Sequence, residues 1–532
     1  MKLLVISKGR AALQSALTIA FLLFGGSRVV ATGTGWPVYA HDEQHSCLSS
    51  VPSQLPQTIR WSTPVDLKPQ YSGGDLFIHY GSPLITEGNT VLVPVKTGAN
   101  DGFRVEAHRG SDGARVWSLH TDFSLPPHSG IWVPVCGIAL TPQDHEVVIP
   151  AAGGTILLRS SPDAPAGGVE RVAFYGITNY NQDPAAFNAA IQICTPISCD
   201  NDGNLYFGYV STGEPLPGYP RGIHSGLARI SSTQRGKFTS ARAISGDQSM
   251  EKVAYNCAPA LSNDGKTLYV AVNRTSFGAF PSAYLCAMDS TTLARQSAMP
   301  LADPQSTPGN PLAAIAYDSA STTPTVAPDG DVYFGVLEFD FTSNHDRGWL
   351  LHFDSQLKIS KLPSAFGWDD TASVVPASAV PSYRGPSPYL LLTKYNNYAQ
   401  VGGNGRNFLA LVDPNVSMTD PVTGVTVMRT VRKVLGPTPD PELGGVREWC
   451  INSAAIDPIN HCAVVNSEDG NVYRWDFDTN TLSVGLTLAP PTGEAYTPTL
   501  IGPDGGIYAI NNAQLFSCVA ASPSPLLSDG GN

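Results

Sequence analysis

Residues whose types and spacing could do chemistry fall in a few short stretches of this 532-residue chain. His41-Asp42-Glu43-Gln44-His45-Ser46-Cys47 gathers imidazole, carboxylate and thiol donors of the kind that hold copper. Set among polar neighbours near the chain start, it is expected to be a mobile polar tail. Asp200-Asn201-Asp202-Gly203-Asn204 has the oxygen density of a calcium loop but lacks the downstream glutamate at EF-hand spacing. A hairpin turn needs the same residues, and a turn is the expectation. Gly402-Gly403-Asn404-Gly405 lacks the Lys-Ser/Thr end of a phosphate loop and reads as a flexible insertion. No GxSxG elbow and no HExxH pair occurs. No catalytic residue, metal ligand set or cofactor-binding residue is therefore assigned from these motifs.

Two insertions carry residues suited to recognition. Segment 211–225 is rich in Gly and Pro and holds Tyr219 and His224, and segment 395–407 begins Tyr395-Asn396-Asn397-Tyr398. Tyr219, His224, Tyr395 and Tyr398 are the candidate ligand-loop residues, able to stack on a sugar or peptide and to hydrogen-bond it. The nine cysteines show no CxxC spacing, which weakens zinc and redox readings. Their odd number leaves at least one outside any internal disulfide. Cys194 and Cys257 each sit two residues before a recurring proline, and they form the candidate bridge if the gap between their strands is within disulfide reach.

The elements that must position these residues follow from a repeat. Small-Pro-apolar, then Asp-Gly, then an apolar-aromatic run recurs at Thr195-Pro196 with Asp202-Gly203, Ala258-Pro259 with Asp264-Gly265, Thr323-Pro324 with Asp329-Gly330, and Thr497-Pro498 with Asp504-Gly505. Degenerate copies begin at Ser82-Pro83, Val133-Pro134, Val375-Pro376 and Asn452-Ser453. Asp-Gly supplies the positive φ of a tight hairpin, and the β-branched and aromatic run after it is a strand. Four antiparallel strands per unit describe a β-propeller blade, which buries its faces only by leaning on its neighbours.

The expectation is an all-β propeller of eight four-stranded blades, with seven as the alternative. The last blade is completed by an N-terminal strand near Thr58-Ile59-Arg60-Trp61. Short helical turns are expected only in insertions, around Asp183 to Ile191.

Composition agrees. Charged residues are 14% of the chain, against about 25% in an average soluble domain, so a long-helix protein is excluded. Apolar residues at 42% exclude disorder, and a net charge of −12 argues against nucleic acid and anionic membranes as partners. Lys2, Lys8 and Arg10 precede an apolar run over 11–24, too short to span a bilayer. This is the pattern of an export signal, cleaved after Ala31 or after Ala40, with an uncleaved anchor as the alternative. The division expected is a signal peptide at 1–31, a linker at 32–57, the propeller at 58–519 and a flexible tail at 520–532. The address expected is secreted or periplasmic, and the state monomeric.

One turn carries a family resemblance. Ala107-His108-Arg109-Gly110-Ser111-Asp112-Gly113-Ala114-Arg115-Val116-Trp117 resembles the quinoprotein (PQQ-type) propeller repeat, Ala-x-Asp-x-x-Thr-Gly-x-x-x-Trp. Ala287, Asp289 and Thr292 match its first half, with Leu293 and Ser297 in place of its Gly and Trp. The resemblance implies that Trp117 docks one blade on the next, that Gly113 closes the turn, and that Ala107, Ala287 and Asp289 hold the same register. PQQ-dependent alcohol dehydrogenases also carry adjacent cysteines, calcium and an Asp base. No adjacent cysteines occur here, and Asp369-Asp370, after Trp368, is the one aromatic-acidic cluster. It is expected to be a solvated blade turn. The function expected is a binding or scaffold module for a protein, glycan or small ligand, with no cofactor. The alternative is an enzyme, either a PQQ-type oxidoreductase with calcium or a lyase or hydrolase using acidic channel residues.

Overall fold

The computed structural model describes residues 33–71, 76, 78–128, 134–276, 279–490 and 498–521. The segment read as an export signal, and residues 522–532 of the expected tail, lie outside the described residues.

Eight antiparallel sheets form the blades of a β-propeller. Blade 1 is Leu84–Ile85, Thr90–Lys96, Phe103–Arg109 and Arg115–Thr121, from the channel outward. Blades 2 to 7 span 139–173, 191–240, 252–300, 314–364, 373–435 and 455–487. Blade 8 combines Leu500–Ile501, Ile507–Asn511 and Gln514–Val519 with Thr58–Pro64, which pairs antiparallel with Gln514–Val519 from Thr58↔Val519 to Pro64↔Gln514. Both chain ends thus share one sheet, and the ring closes through backbone hydrogen bonds. The Asp-Gly turns behave as their chemistry requires: Gly330 sits at φ +89°, a conformation that a side chain would strain. Blade 5 is the irregular one. Its outer position is a bridge-paired segment, Leu350↔Ser364 and Phe353↔Ser360, and Pro363 within it has no N–H to extend a ladder.

Blades dock through a recurring contact. Trp117, buried on the outer strand of blade 1, donates from Nε1 to the Pro162 carbonyl of blade 2 at 2.6 Å, with the Arg159 guanidinium 3.9 Å over its ring. Trp61 does the same between blades 8 and 1, donating to Gly110 O at 2.8 Å. Its ring lies against Gly113, where an added methyl would come within 2.6 Å of Trp61, so only glycine fits. In blade 4, Ser297 takes the tryptophan's place and donates to Gln356 O of blade 5 at 2.5 Å. The register is shared: Ala107 pairs with Trp117, and Ala287 with Ser297. Asp289 closes its turn by accepting from Thr292 N and Oγ1, both at 2.7 Å. Leu293 adopts φ +59° where the repeat has glycine.

The segment expected as a linker and mobile tail is neither. Residues 33–57 run round the channel and hydrogen-bond the innermost strands in turn. Ile85 N donates to Trp36 O, Leu140 N to Pro37 O, Leu261 N to Glu43 O, Val326 N to Gln44 O, Val374 N to Ser46 O and Ile456 N to Cys47 O, all at 2.7–3.0 Å. Gln54 N then donates to Gly505 O in blade 8, and the Asn201 side chain of blade 3 donates to Glu43. The physical reason is that each innermost strand is a sheet edge with unpaired N–H groups, and the strap satisfies them. Four of its residues, Ala40, His41, His45 and Cys47, adopt positive φ, which keeps the coil tight.

The strap also buries the donors that suggested a metal site. His45 Nδ1 lies 2.8 Å from the Pro324 carbonyl oxygen, and Asp42 accepts from Ser46 N at 2.9 Å. Burial pulls His45 down to about 4, despite Pro324 and Asp42. A base whose folded pKa lies below its unfolded value of about 6.5 costs stability as pH falls from 6.5 towards 4. Between pH 7 and pH 4.5, the wild type should therefore lose about 2–3 kcal/mol more than His45→Asn, read by denaturant unfolding at each pH. Parallel pH profiles for the two proteins would refute a neutral, sealed His45.

The predicted helical turn is present as Pro184–Ala190, capped by Asp183 accepting from Ala186 N at 3.0 Å. None of the cysteines is joined in a disulfide, and all nine are buried. Cys194 packs with Val210 and Tyr255, whereas Cys257 belongs to the apolar cluster between blades 4 and 5 with Ala271 and Phe334. The expected bridge fails because the two thiols enter different packing clusters.

Candidate functional site

Antiparallel order puts two kinds of segment at one end of the channel: those leading into each inner strand, and the turns joining second and third strands. The strap lies at the other end, against the turns that leave the inner strands. The upper mouth is thus the end where side chains from successive blades converge.

A cavity of about 450 Å³ opens at this mouth between blades 3, 4 and 5, lined among others by Ser225, Glu251, Lys252, Tyr255, Thr275 and Asp318. Lys252 begins the inner strand of blade 4 and is buried. Its Nζ donates to both Asp318 oxygens at 2.6–2.7 Å and to Asn273 Oδ1 at 2.8 Å, and lies 4.5 Å over the Tyr255 ring. Tyr255 donates to Pro127 O at 2.9 Å, tying the loop after blade 1 across the ring. Glu251, on the exposed rim, accepts from Thr275 N and Oγ1. Lys252 is paired with Asp318 and Glu251 is held by Thr275, so the cavity presents carboxylate and hydroxyl acceptors beside one aromatic ring rather than a net cation.

Beside it lies a buried polar floor. Asp369 and Asp370 are 5% and 1% exposed, so the expected solvated turn is corrected. The chain turns inward there because the segment must enter the inner strand Ser373–Pro376. Asp369 accepts from Ser321 N and Oγ at 2.7–2.8 Å and lies 3.6 Å from His79 Nε2. Burial alone would raise Asp369, but the His79 ring, Lys394 and the Ser321 amide hold its carboxyl well below the usual range. Burial pushes its neighbour Asp370 up to about 7 despite Lys394 and the Thr393 hydroxyl that donates to it. Below them the strap's Tyr39 hydroxyl meets Asn452, Thr371 and Ser321, joining floor to strap.

The residues proposed from the two insertions are dispersed. Tyr219 packs on Tyr175 and Phe238 and donates to Tyr175 O at 2.9 Å. His224 is exposed at the start of its strand, next to the cavity-lining Ser225. Tyr395 is the half-buried last residue of the strand Tyr389–Tyr395, and Tyr398 is buried with its hydroxyl against Asn396. Tyr395 and Tyr398 therefore do not project from a solvated loop. The reason is that the glycine-rich insertion folds back: Gly403 N bonds Tyr398 O, Gly405 N bonds Asn397 O, and Val446 N bonds Gly405 O. The Asp200 turn is a hairpin turn, its carboxylate taking the amides of Asp202 and Asn204.

Sequence reasoning missed Lys252, Tyr255, Asp318 and His79. A signal was available: they lie a few residues ahead of repeat starts, the position that topology sends to the mouth.

No family model and no curated relative matches the chain. Solved structures do. A quinohemoprotein alcohol dehydrogenase from Comamonas testosteroni matches with a TM-score of 0.52 at 10% identity, covering 94% of this chain and 83% of that one. A europium-containing methanol dehydrogenase matches with a TM-score of 0.50 at 9% identity, covering 89% of each. Saccharomyces cerevisiae Sqt1 matches with a TM-score of 0.50 at 10% identity, covering 88% of this chain and 100% of that one. Such identities carry the fold and not the chemistry. The described mouth does not fit a pyrroloquinoline quinone, which is a planar tricarboxylate needing cations. Lys252 is neutralised by Asp318, and Lys394 Nζ bonds the Asp369 carbonyl at 2.5 Å amid acidic neighbours. No helix among the described residues is long and apolar enough to cross a membrane. The sheet topology and these structural likenesses together show that this chain is an eight-bladed β-propeller, the fold it shares with the quinohemoprotein and methanol dehydrogenases it is similar to.

Proposed function

We propose that this protein is an exported binding module that takes a small, neutral, hydroxyl-rich ligand, of the glycan or polyol class, in the cavity at the upper mouth. The observation that carries the reading is the cavity itself: about 450 Å³ beside Tyr255, walled by acceptors on Glu251 and Asp318. Pockets for small molecules run from about 300 to 1,000 Å³ and combine apolar walls with a few placed polar groups. Lys252 is neutralised by Asp318, which disfavours an anionic partner and leaves acceptors for the hydroxyl groups of a neutral one. Export rests on Lys2, Lys8 and Arg10 ahead of the apolar run.

The test is a glycan array followed by calorimetry. One sugar class should bind at micromolar to millimolar affinity and weaken about tenfold or more in Glu251→Ala and Thr275→Ala. Affinity unchanged in both variants would place recognition elsewhere. Incubation with the quinone and calcium serves as the counter-test: retained quinone with dye reduction by alcohols or sugars would replace this reading with an oxidoreductase.

A further inference from the structure

We propose that Glu448, Cys450 and Glu468 form a zinc-type metal site in blade 7, at the upper mouth and separate from the cavity between blades 3, 4 and 5. Ligand atoms from all three lie within 4.8 Å of one another. They come from two segments that topology brings to the same end. Glu448 and Cys450 lead towards the inner strand Ala455–Asp457, and Glu468 sits in the turn between Cys462–Asn466 and Asn471–Asp476. Bonds of about 2.0–2.3 Å to zinc put tetrahedral ligands roughly 3.3–3.8 Å apart, so small side-chain rotations close the set.

A second observation points the same way. In the blade 5 turn, one carboxylate oxygen of Asp346 is sealed from solvent with no hydrogen-bond partner, and Asp346 lies within electrostatic reach of Glu338 and Glu448. The cation facing Glu448 is Lys394, already bonded to the Asp369 carbonyl.

The donor chemistry selects the ion. A thiolate with two carboxylates suits zinc, whereas calcium and magnesium take oxygen alone. Cys450 is 4% exposed, so the sulfur is shielded from oxidants, and both glutamates are partly buried. Three protein ligands leave a fourth position for water or an incoming ligand. The Tyr398 hydroxyl hydrogen-bonds Glu448 and helps to hold that carboxylate in place. Binding displaces the Cys450 thiol proton to solvent, so uptake weakens as pH falls.

The experiment uses the purified full chain, stripped with a chelator and titrated with Zn²⁺ against a chromophoric competitor, and separately with Co²⁺. One equivalent of zinc should bind, and Co²⁺ should give the near-ultraviolet thiolate-to-metal band. Cys450→Ser should abolish that band and weaken zinc about 100-fold or more. Glu468→Gln, at a half-exposed position that folding tolerates, should weaken zinc at least tenfold while keeping the band. No stoichiometric uptake by the wild type, or uptake unchanged in Glu468→Gln, would overturn the proposal.

Discussion

Removing residues 33–49 while keeping the closing strand Thr58–Pro64 is expected to lower the thermal midpoint by about 5–10 °C. Six inner-edge N–H groups lose their acceptors: those of Ile85, Leu140, Leu261, Val326, Val374 and Ile456. Each such hydrogen bond is worth about 1 kcal/mol net. The loss of Trp36, Val38 and Tyr39, all buried, adds about 1.5–3 kcal/mol for each large side chain. The sum is about 10–15 kcal/mol, reduced by water that enters the channel and solvates the exposed edges. Unfolding entropy for a ring of this size is about 1 kcal/mol per kelvin, which converts the loss to the stated shift. Hydrogen exchange should rise at the inner strands of blades 1, 2, 4, 5, 6 and 7 together, because one strap serves them all. A truncated protein melting within about 1 °C of its parent would show that the strap is peripheral.

The second large effect belongs to the blade-docking tryptophans. Trp117→Ala should cost about 3–5 kcal/mol, since a buried indole, its hydrogen bond to Pro162 and its contact with Arg159 are lost together. Trp61→Ala should cost a similar amount, because Trp61 fills the equivalent place between blades 8 and 1 and rests on Gly113. Ser297→Ala should cost only about 1 kcal/mol, for there the same carbonyl contact is made by a hydroxyl. Denaturant unfolding of the three variants checks the order. Equal losses for Trp117→Ala and Ser297→Ala, or a loss below about 1 kcal/mol for Trp117→Ala, would refute a shared docking position.

How the candidate sites fared in the sequence depends on how local their chemistry is. Asp200 was legible as a turn because its carboxylate caps amides two and four residues ahead. Asp369-Asp370 looked like a turn for the same compositional reason, yet its partners Ser321 and His79 come from other blades and Lys394 from the next strand of its own. His41 to Cys47 looked solvated because nothing in a polar heptad announces that four sheet edges await it. Tyr395 and Tyr398 looked like loop aromatics, but Gly402–Gly405 folds the insertion back onto its own blade.

By itself the amino-acid order determined what is periodic: strands of alternating residues, Asp-Gly hairpins, eight units and the strand shared by both chain ends. These depend on backbone preferences within a few residues, and a repeated sequence repeats them. Only the tertiary structure decided which residues meet at the mouth, where the strap runs and whether cysteines pair. Those depend on distances between blades tens to hundreds of residues apart, such as Lys252 to Asp318 or Tyr39 to Asn452. No local pattern encodes such distances, because they arise from the closure of the ring.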